Sequence, residues 1–252
     1  MISKTATGNE LSDKQTHLMK IIPVIDYRKG NVVLAQLGNR DSYQPVSSAL
    51  CDKPDINSVI EGILTLAEFK TIYIADLDCI ENQQLEESLW PSLCSRYPDI
   101  EFWIDLGKLS QRWAQFMANI SNARPVIGSE SHSSIKSLTL SLSALNNYRP
   151  LLSIDIRQSR ILGPDQLLSG FDNWPDDVVI LSLSHVGSNS GPDYDSIRNV
   201  SSHLCSQNIF YGGGTRNEQD IRQLASLNIK GVLVASSLHS EKINKCFLEK
   251  VS

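Results

Sequence analysis

The chain has little of what would mark an exported, membrane-bound, metal-chelating or nucleic-acid-binding protein. Its five cysteines (Cys51, Cys79, Cys94, Cys205, Cys246) are odd in number and form no CxxC. That fits reduced thiols better than a disulfide framework. No run of 18 or more apolar residues exists, so no membrane span is expected. The first twenty residues are polar and lack the apolar centre of a signal peptide. With the reduced thiols, this predicts a cytoplasmic protein. Acidic residues outnumber basic ones, 28 to 23, for a net charge of −5. Without a basic patch, no nucleic-acid partner is expected. The five histidines (His17, His132, His185, His203, His239) show no zinc-ligand spacing. No cofactor is called for, and a magnesium ion on strand-end aspartates is the one metal left open. Lysine is missing from the C-terminal halves of the apolar strands, where a Schiff-base aldolase would need it. Lys20, Lys70 and Lys230 instead precede strands, on what would be the stability face of a barrel.

What is present is alternation. Apolar strand-like runs fall at 21–26, 71–76, 101–105, 124–128, 151–155, 178–182, 209–211 and 231–234. Helix-like segments separate them, at 55–69, 110–120, 133–145, 196–205, 218–227 and 240–251, with Asn217 and Ser240 as N-caps. Such alternation gives a parallel sheet with right-handed crossovers. Eight units within 252 residues predict one α/β domain, a closed (β/α)8 TIM barrel over residues 18–252. Residues 1–17 read as a flexible N-terminal extension. The runs Ile-Ile-Pro-Val-Ile-Asp26 and Leu-Leu-Ser-Ile-Asp155 end alike and lie about half the chain apart, as in a duplicated half-barrel.

The active site of such a barrel lies at the C-terminal strand ends. Asp26, Asp76, Asp78, Asp105 and Asp155 gather there. A carboxylate in that place is costly unless solvated, paired or used. Asp26 and Asp155 are the catalytic candidates, one an ionised base and the other a protonated acid. Asp78 reads as a loop cap. Gly212, Gly213 and Gly214 directly follow strand seven, where backbone amides can approach an anion. Together with Ser236 and Ser237 after strand eight they form the candidate phosphate site. Arg40 and Tyr43 lie in the first loop, and Lys108 lies just past strand three. With Asp76, Asp105, Gly187 and Ser188 they are the candidate supporting or substrate-binding residues. His185 is a secondary candidate near the end of strand six.

The motifs Ile-Ile-Pro-Val-Ile-Asp26, Ile-Ala-Asp76-Leu-Asp78, Ser-Ile-Asp155-Ile-Arg157, Gly187-Ser188 with Ser190-Gly191-Pro192-Asp193, and Gly212-Gly213-Gly214-Thr-Arg216 resemble the HisA/HisF family of histidine biosynthesis. The resemblance covers nearly all the chain after residue 20. It implies that Asp26 and Asp155 are the acid/base pair of a sugar-phosphate ring opening and Amadori-type rearrangement. It also implies a glycine-rich phosphate site in each half. Here Ile104-Asp105-Leu106-Gly107-Lys108 replaces the strand-three glycine run, Ala235 the strand-eight glycine, and Val186 an aspartate. These departures point to a substrate with one phosphate. The stretches Gly38-x-Arg40-Asp41-x-Tyr43-x-Pro45, Tyr73-Ile-Ala-Asp-Leu-Asp78, Ile104-Asp-Leu-Gly107 and Val126-Ile-Gly-Ser-Glu130 are similar to a HisA-related branch of methanogens and methylotrophs. That branch accompanies tetrahydromethanopterin-linked one-carbon metabolism. Where it often has a strand-six aspartate, this chain has Ser182.

Three readings follow. In the first, the protein is an isomerase that opens the ring of a ribosyl monophosphate in tetrahydromethanopterin synthesis. In the second, it is a non-catalytic barrel that binds a phosphorylated intermediate or a partner enzyme. In the third, it is the ordinary histidine-pathway isomerase. The expected ligand is a phosphorylated ribosyl small molecule, and a partner enzyme or homo-oligomer remains open.

Overall fold

Eight parallel strands close on one another in the computed structural model, which describes residues 19–108 and 120–251. They are β1 (Lys20–Arg28), β4 (Thr71–Asp76), β5 (Glu101–Asp105), β6 (Ala123–Gly128), β7 (Leu151–Arg157), β9 (Asp177–Ser182), β10 (Asn208–Gly212) and β11 (Gly231–Val234). Each pairs in parallel with the next, and β11 pairs with β1 to seal the barrel. All eight expected strands are present, with ends within two residues of those predicted. The architecture is a (β/α)8 barrel.

Strand alternation sorts the side chains into two cores. Ile22, Tyr73, Trp103, Val126, Leu151, Val179, Phe210 and Leu233 point inward and fill the barrel. Trp103 and Phe210 meet edge to face at 4.9 Å. The opposite phase, including Ile25, Ile72, Ile74, Phe102, Ile104 and Ile154, packs against the helices.

Three features depart from the sequence reading. First, β1 and β7 run past their aspartates because each turns back as a hairpin. β2 (Asn31–Leu34) pairs antiparallel with β1, and β8 (Arg160–Ile161) with β7. The two turns match: Lys29 and Gly30 have φ of 50° and 81°, and Gln158 and Ser159 have 50° and 60°. Positive φ at both central positions suits the twist of a two-residue hairpin. The two halves therefore share more than a terminal aspartate. A further strand, β3 (Gln44–Pro45), pairs with β2. Second, short helices at Leu77–Asn82 and Leu89–Arg96 occupy the β4–β5 connection. They carry too few turns to show a periodic face.

Third, some helix ends differ. The first ends at Leu64 rather than 69, starting from an Asp55 cap that accepts from Ser58 N–H. Asn217 does cap its helix, accepting from Asp220 N–H at 3.1 Å. Ser240 does not: its own N–H is bonded to Ser236 O, so it closes the four-residue helix Ser236–His239. The last helix, Lys245–Val251, starts instead from Asn244, whose Oδ1 accepts from Phe247 N–H at 3.1 Å. The predicted extension at 1–17, and the helix predicted at 110–120 except its last residue, lie outside the described residues. All five cysteines are free. No helix among the described residues is long and apolar enough to cross a membrane.

The end of the barrel opposite the strand C-termini is closed by Arg124, 6% exposed. Its guanidinium donates to Asp177 at 2.7 Å and to Arg149 O at 2.9 Å, and it lies 5.6 Å from the Trp103 ring. Breaking such a pair on one side leaves a buried charge uncompensated. Arg124→Ala is expected to cost about 3–5 kcal/mol in equilibrium urea unfolding. A loss below about 1 kcal/mol would show that water compensates Asp177 there.

Candidate active site

At the C-terminal rim, strand alternation aims three aspartates into one cleft. Asp26 pairs in register with Ala75, and Ala75 with Asp105. The two acids therefore sit two strands apart at one level, roughly 10 Å between backbones. Asp155 heads a second row, in register with Leu181, which continues to Gly212 and Leu233. Asp26, Asp105 and Asp155 all line the cleft, together with Arg40, Tyr43, Tyr73, Glu130 and the segment 212–215.

Each carboxyl is held differently. Asp155 is 3% exposed and the most constrained. Its Oδ1 accepts from Ser153 Oγ at 2.8 Å and its Oδ2 from Glu130 N–H at 3.1 Å. Its own N–H donates to Ser129 Oγ at 3.0 Å. Asp105 accepts from Gly107 N–H at 2.8 Å and from the Tyr73 hydroxyl at 3.2 Å. Gly128 makes their proximity possible. A Cβ there would stand 3.2 Å from Asp155 Oδ2 and 3.6 Å from Asp105 Oδ2. Asp26 lies among Arg40, Tyr43 and Asp105.

Crowding of like charge in a dry site favours protons. Burial pushes Asp155 up to about 8, and Glu130 and Asp105 push the same way. Burial pushes Asp26 up to about 7, with Arg40 opposing. Burial also raises Asp105 to about 6, against the pull of the Gly107 amide. Near neutral pH the group thus holds both protonated and ionised carboxyls, which acid/base chemistry requires.

The first loop is laced across this mouth. Arg40 donates to Glu130 at 2.5 Å and faces Glu81 at 3.9 Å. Its carbonyl accepts from Arg28, and Gly38 O accepts from Arg157 at 3.4 Å. Leu37 N–H reaches Val186 O at 2.8 Å, joining this loop to the one after β9. Tyr43 lines the cleft from the same loop.

Opposite lies the glycine-rich segment. Gly213 and Gly214 adopt φ of 122° and 73°. A Cβ on either would meet a backbone carbonyl, of Ser182 at 2.5 Å or of Gly191 at 2.3 Å. Glycine is thus required for the segment to tuck beneath its neighbours while facing the cleft. Ser236 and Ser237 line the cleft beside it, as does Thr215. The Thr215 and Ser237 hydroxyls are buried and have no partner among the described residues.

Of the other residues singled out in the sequence, Gly187 lines the cleft. Asp76 does not. It falls in the outward phase of β4, where it caps Leu77–Asn82 by accepting from Cys79 N–H at 3.0 Å. Asp78 accepts from Lys29 N–H at 2.5 Å and so secures the hairpin turn. Lys108 is exposed and outside the cleft, with His132 near enough to feel its charge. Ser188 turns back into its own loop, donating to His185 O at 2.8 Å. His185 is held by Ser182 at 2.9 Å and does not line the cleft. Glu130, Tyr73 and Thr215 line it without having been named as site residues. The stretch Val126–Glu130 carried the signal for Glu130, one position past a strand-end Gly-Ser. Among the described residues, no three His, Cys, Asp or Glu side chains converge as a metal-binding set.

The raised carboxyl pKa values carry a stability cost with a defined sign. A folded-state value of about 8 for Asp155, against an ordinary 3.8, favours the fold fully below about 4. That advantage is lost as pH rises through about 8. Asp155→Asn should therefore be more stable than wild type at pH about 8, by more than about 1 kcal/mol. The gap should close toward pH about 4. Thermal unfolding of both proteins across this range tests it, and a pH-independent difference contradicts the raised value.

Comparison with known proteins agrees with this geometry. A family model described as "Histidine biosynthesis protein" matches residues 20–244. The chain is 26% identical over 225 residues to an uncharacterized protein of Methanocaldococcus jannaschii, covering 88% of this chain and 93% of that protein. It is 22% identical over 245 residues to a phosphoribosyl imidazole-4-carboxamide isomerase of Clostridium acetobutylicum, covering 90% of this chain and 95% of that enzyme. With its eight parallel strands and its paired hairpin aspartates, the chain belongs to the histidine biosynthesis protein family, as a barrel of the HisA/HisF type.

Proposed function

We propose that the protein is an aldose–ketose isomerase of HisA-like type that opens the furanose ring of a ribosyl monophosphate. The observation that carries this reading is the pair Asp26 and Asp155. They lie on the two hairpin-extended strands of a duplicated barrel, face one cleft, and are both raised into the neutral range. One protonated carboxyl gives its proton to the ring oxygen as the C1–O bond breaks. The other, ionised, removes the proton from C2, leaving an enol between C1 and C2. The second carboxyl, now protonated, returns its proton to C1 while the first, now ionised, takes up the proton of the C2 hydroxyl, which gives the C2 ketone. Asp26 and Asp155 share these two roles, and their carboxyls end the cycle as they began.

The phosphate of such a substrate is proposed to lie against Gly213 and Gly214, completing the hydrogen bonds of Thr215 and Ser237. Asp105 and Glu130 on the other wall disfavour a second phosphate. The related clostridial isomerase is named for a substrate with two phosphoribosyl groups, so this chain is proposed to act on a different compound. Tetrahydromethanopterin assembly supplies a chemical setting. There an aryl ribofuranoside phosphate must become an opened, linear ribitol.

The test is proton NMR in heavy water with an aryl ribofuranoside 5′-phosphate. Enzyme-dependent loss of the C2 proton signal, or appearance of an open ketose, is the expected result. Asp26→Asn and Asp155→Asn should each slow exchange by about 10²–10⁴-fold. Unaltered exchange in both variants would remove the pair from the mechanism. Because catalysis needs one carboxyl protonated and one ionised, kcat/KM should be bell-shaped, highest between pH about 7 and about 8. A profile flat across that range would contradict the shared roles.

A further inference from the structure

Asp155 is gripped from inside the barrel as well as from its rim. Leu151, Ser153 and Asp155 share the inward phase of β7, so Ser153 lies one layer below the carboxyl. It is fully buried, in register with Gly128 on one side and Val179 on the other. Its hydroxyl donates to Asp155 Oδ1 at 2.8 Å. Asp155 lines the cleft and Ser153 does not, so this bond comes from the side away from a ligand. Leu151 and Val179 make the surrounding layer apolar, and a buried hydroxyl there is costly unless it is bonded. Packing alone does not call for a serine.

One neighbour can serve both forms of the carboxyl. Ser129 Oγ stands 3.4 Å from Asp155 Oδ2, but its single proton is committed to Leu162 O at 2.6 Å. Its lone pairs take the N–H of Asp155 at 3.0 Å. The donor on Oδ2 is Glu130 N–H at 3.1 Å, and a backbone amide can only donate. Ser153 is thus the one committed side-chain donor to Asp155 among the described residues. It is also the partner that can reverse. A hydroxyl turns about its C–O bond, so it can donate to the ionised carboxylate and accept from the protonated acid. Oδ1 then keeps a partner through a cycle in which the carboxyl exchanges its proton.

The surroundings make that bond count. Burial, Glu130 beyond β6 and Asp105 on β5 all disfavour the ionised form of Asp155, and Tyr73 of β4 lies close by. Asp26, Arg40 and Arg157 line the same cleft. The Glu130 amide and the Ser153 hydroxyl pull the other way, and together they leave Asp155 at about 8, within reach of neutral pH.

We propose, on the footing of the isomerase reading, that Ser153 is a positioning residue for Asp155, whose hydroxyl holds Oδ1 in one aim through both protonation states and eases loss of the proton.

Carbon-13 NMR of protein labelled at aspartate Cγ reads this without any substrate. The Asp155 signal is the one missing from Asp155→Asn. In Ser153→Ala its titration midpoint should rise by about one pH unit, because the lost bond favoured the ionised form. Ser153→Cys keeps the side-chain size but donates weakly. It should move the midpoint in the same direction, and it decides the matter if Ser153→Ala does not fold. Ser153→Thr retains the hydroxyl and should titrate within about 0.3 pH unit of wild type. In the heavy-water assay, Ser153→Ala should lower kcat about tenfold with KM changed less than about twofold, and should move the upper limb of the rate profile upward with the midpoint. A midpoint unmoved in both Ser153→Ala and Ser153→Cys overturns the proposal. So does a Ser153→Thr midpoint displaced as far as that of Ser153→Ala, or C2 exchange as fast in Ser153→Ala as in wild type. The isomerase reading fails separately: the expected midpoints with no exchange by wild type remove the reaction and leave the hold of Ser153 on Asp155 standing.

Discussion

The period-two alternation of a closed parallel sheet is the constraint on which the rest depends. In a barrel every second residue points to the axis, and the rim residues of that phase have nowhere to go but the cleft. Asp26, Asp105 and Asp155 are in that phase, and Asp76 is not. A shift of one position therefore separates three acids that share a site from a fourth that caps a helix. The same parity places Gly128 and Gly212 on the inner face, so the upper barrel is hollow where Tyr73, Trp103 and Phe210 fill it lower down.

From that constraint follow both hairpins and lacing. The strands that carry Asp26 and Asp155, unlike the one that ends at Asp105, have support beyond the rim. β2 and β8 supply it by continuing β1 and β7 with antiparallel ladders. The first half then adds a long loop, pinned through Arg28, Arg40 and Arg157 to three other parts of the mouth. The acid of the second half is held instead by hydroxyls and an amide, from Ser129, Ser153 and Glu130. Two similar frames thus give two carboxyls in different surroundings, and such a difference is how one member of a pair keeps its proton while the other loses it.

Much of this was legible in the sequence because the strands are short apolar runs that end in charged or glycine residues. The eight-strand count, the half-barrel relation of Asp26 to Asp155, and the glycine segment before Thr215 all rest on that local pattern. What stayed hidden depends on direction and distance. Asp76 and Asp105 look alike at the ends of adjacent barrel strands, and only the phase of each strand tells them apart. Glu130 lies beyond β6, and it enters the site because Arg40, far away in the chain, reaches across to it. Ser240 has the right residue type for a cap but is already spent ending the preceding helix. The hairpins were missed because their returning strands are four and two residues long. So short a run carries no periodic signal.

Folding stability by itself does not account for this cluster. Three buried carboxyls raised above their ordinary range each favour the fold less at neutral pH than in acid, by the sign of linkage. Apolar residues of similar size at those positions would relieve the cost, as the inner core directly below demonstrates with Tyr73, Trp103 and Val126. Stability alone would not keep Asp105 beside Asp155 across a bare Gly128. A cost held in one cleft, opposite two buried hydroxyls without a partner among the described residues, marks a candidate functional site.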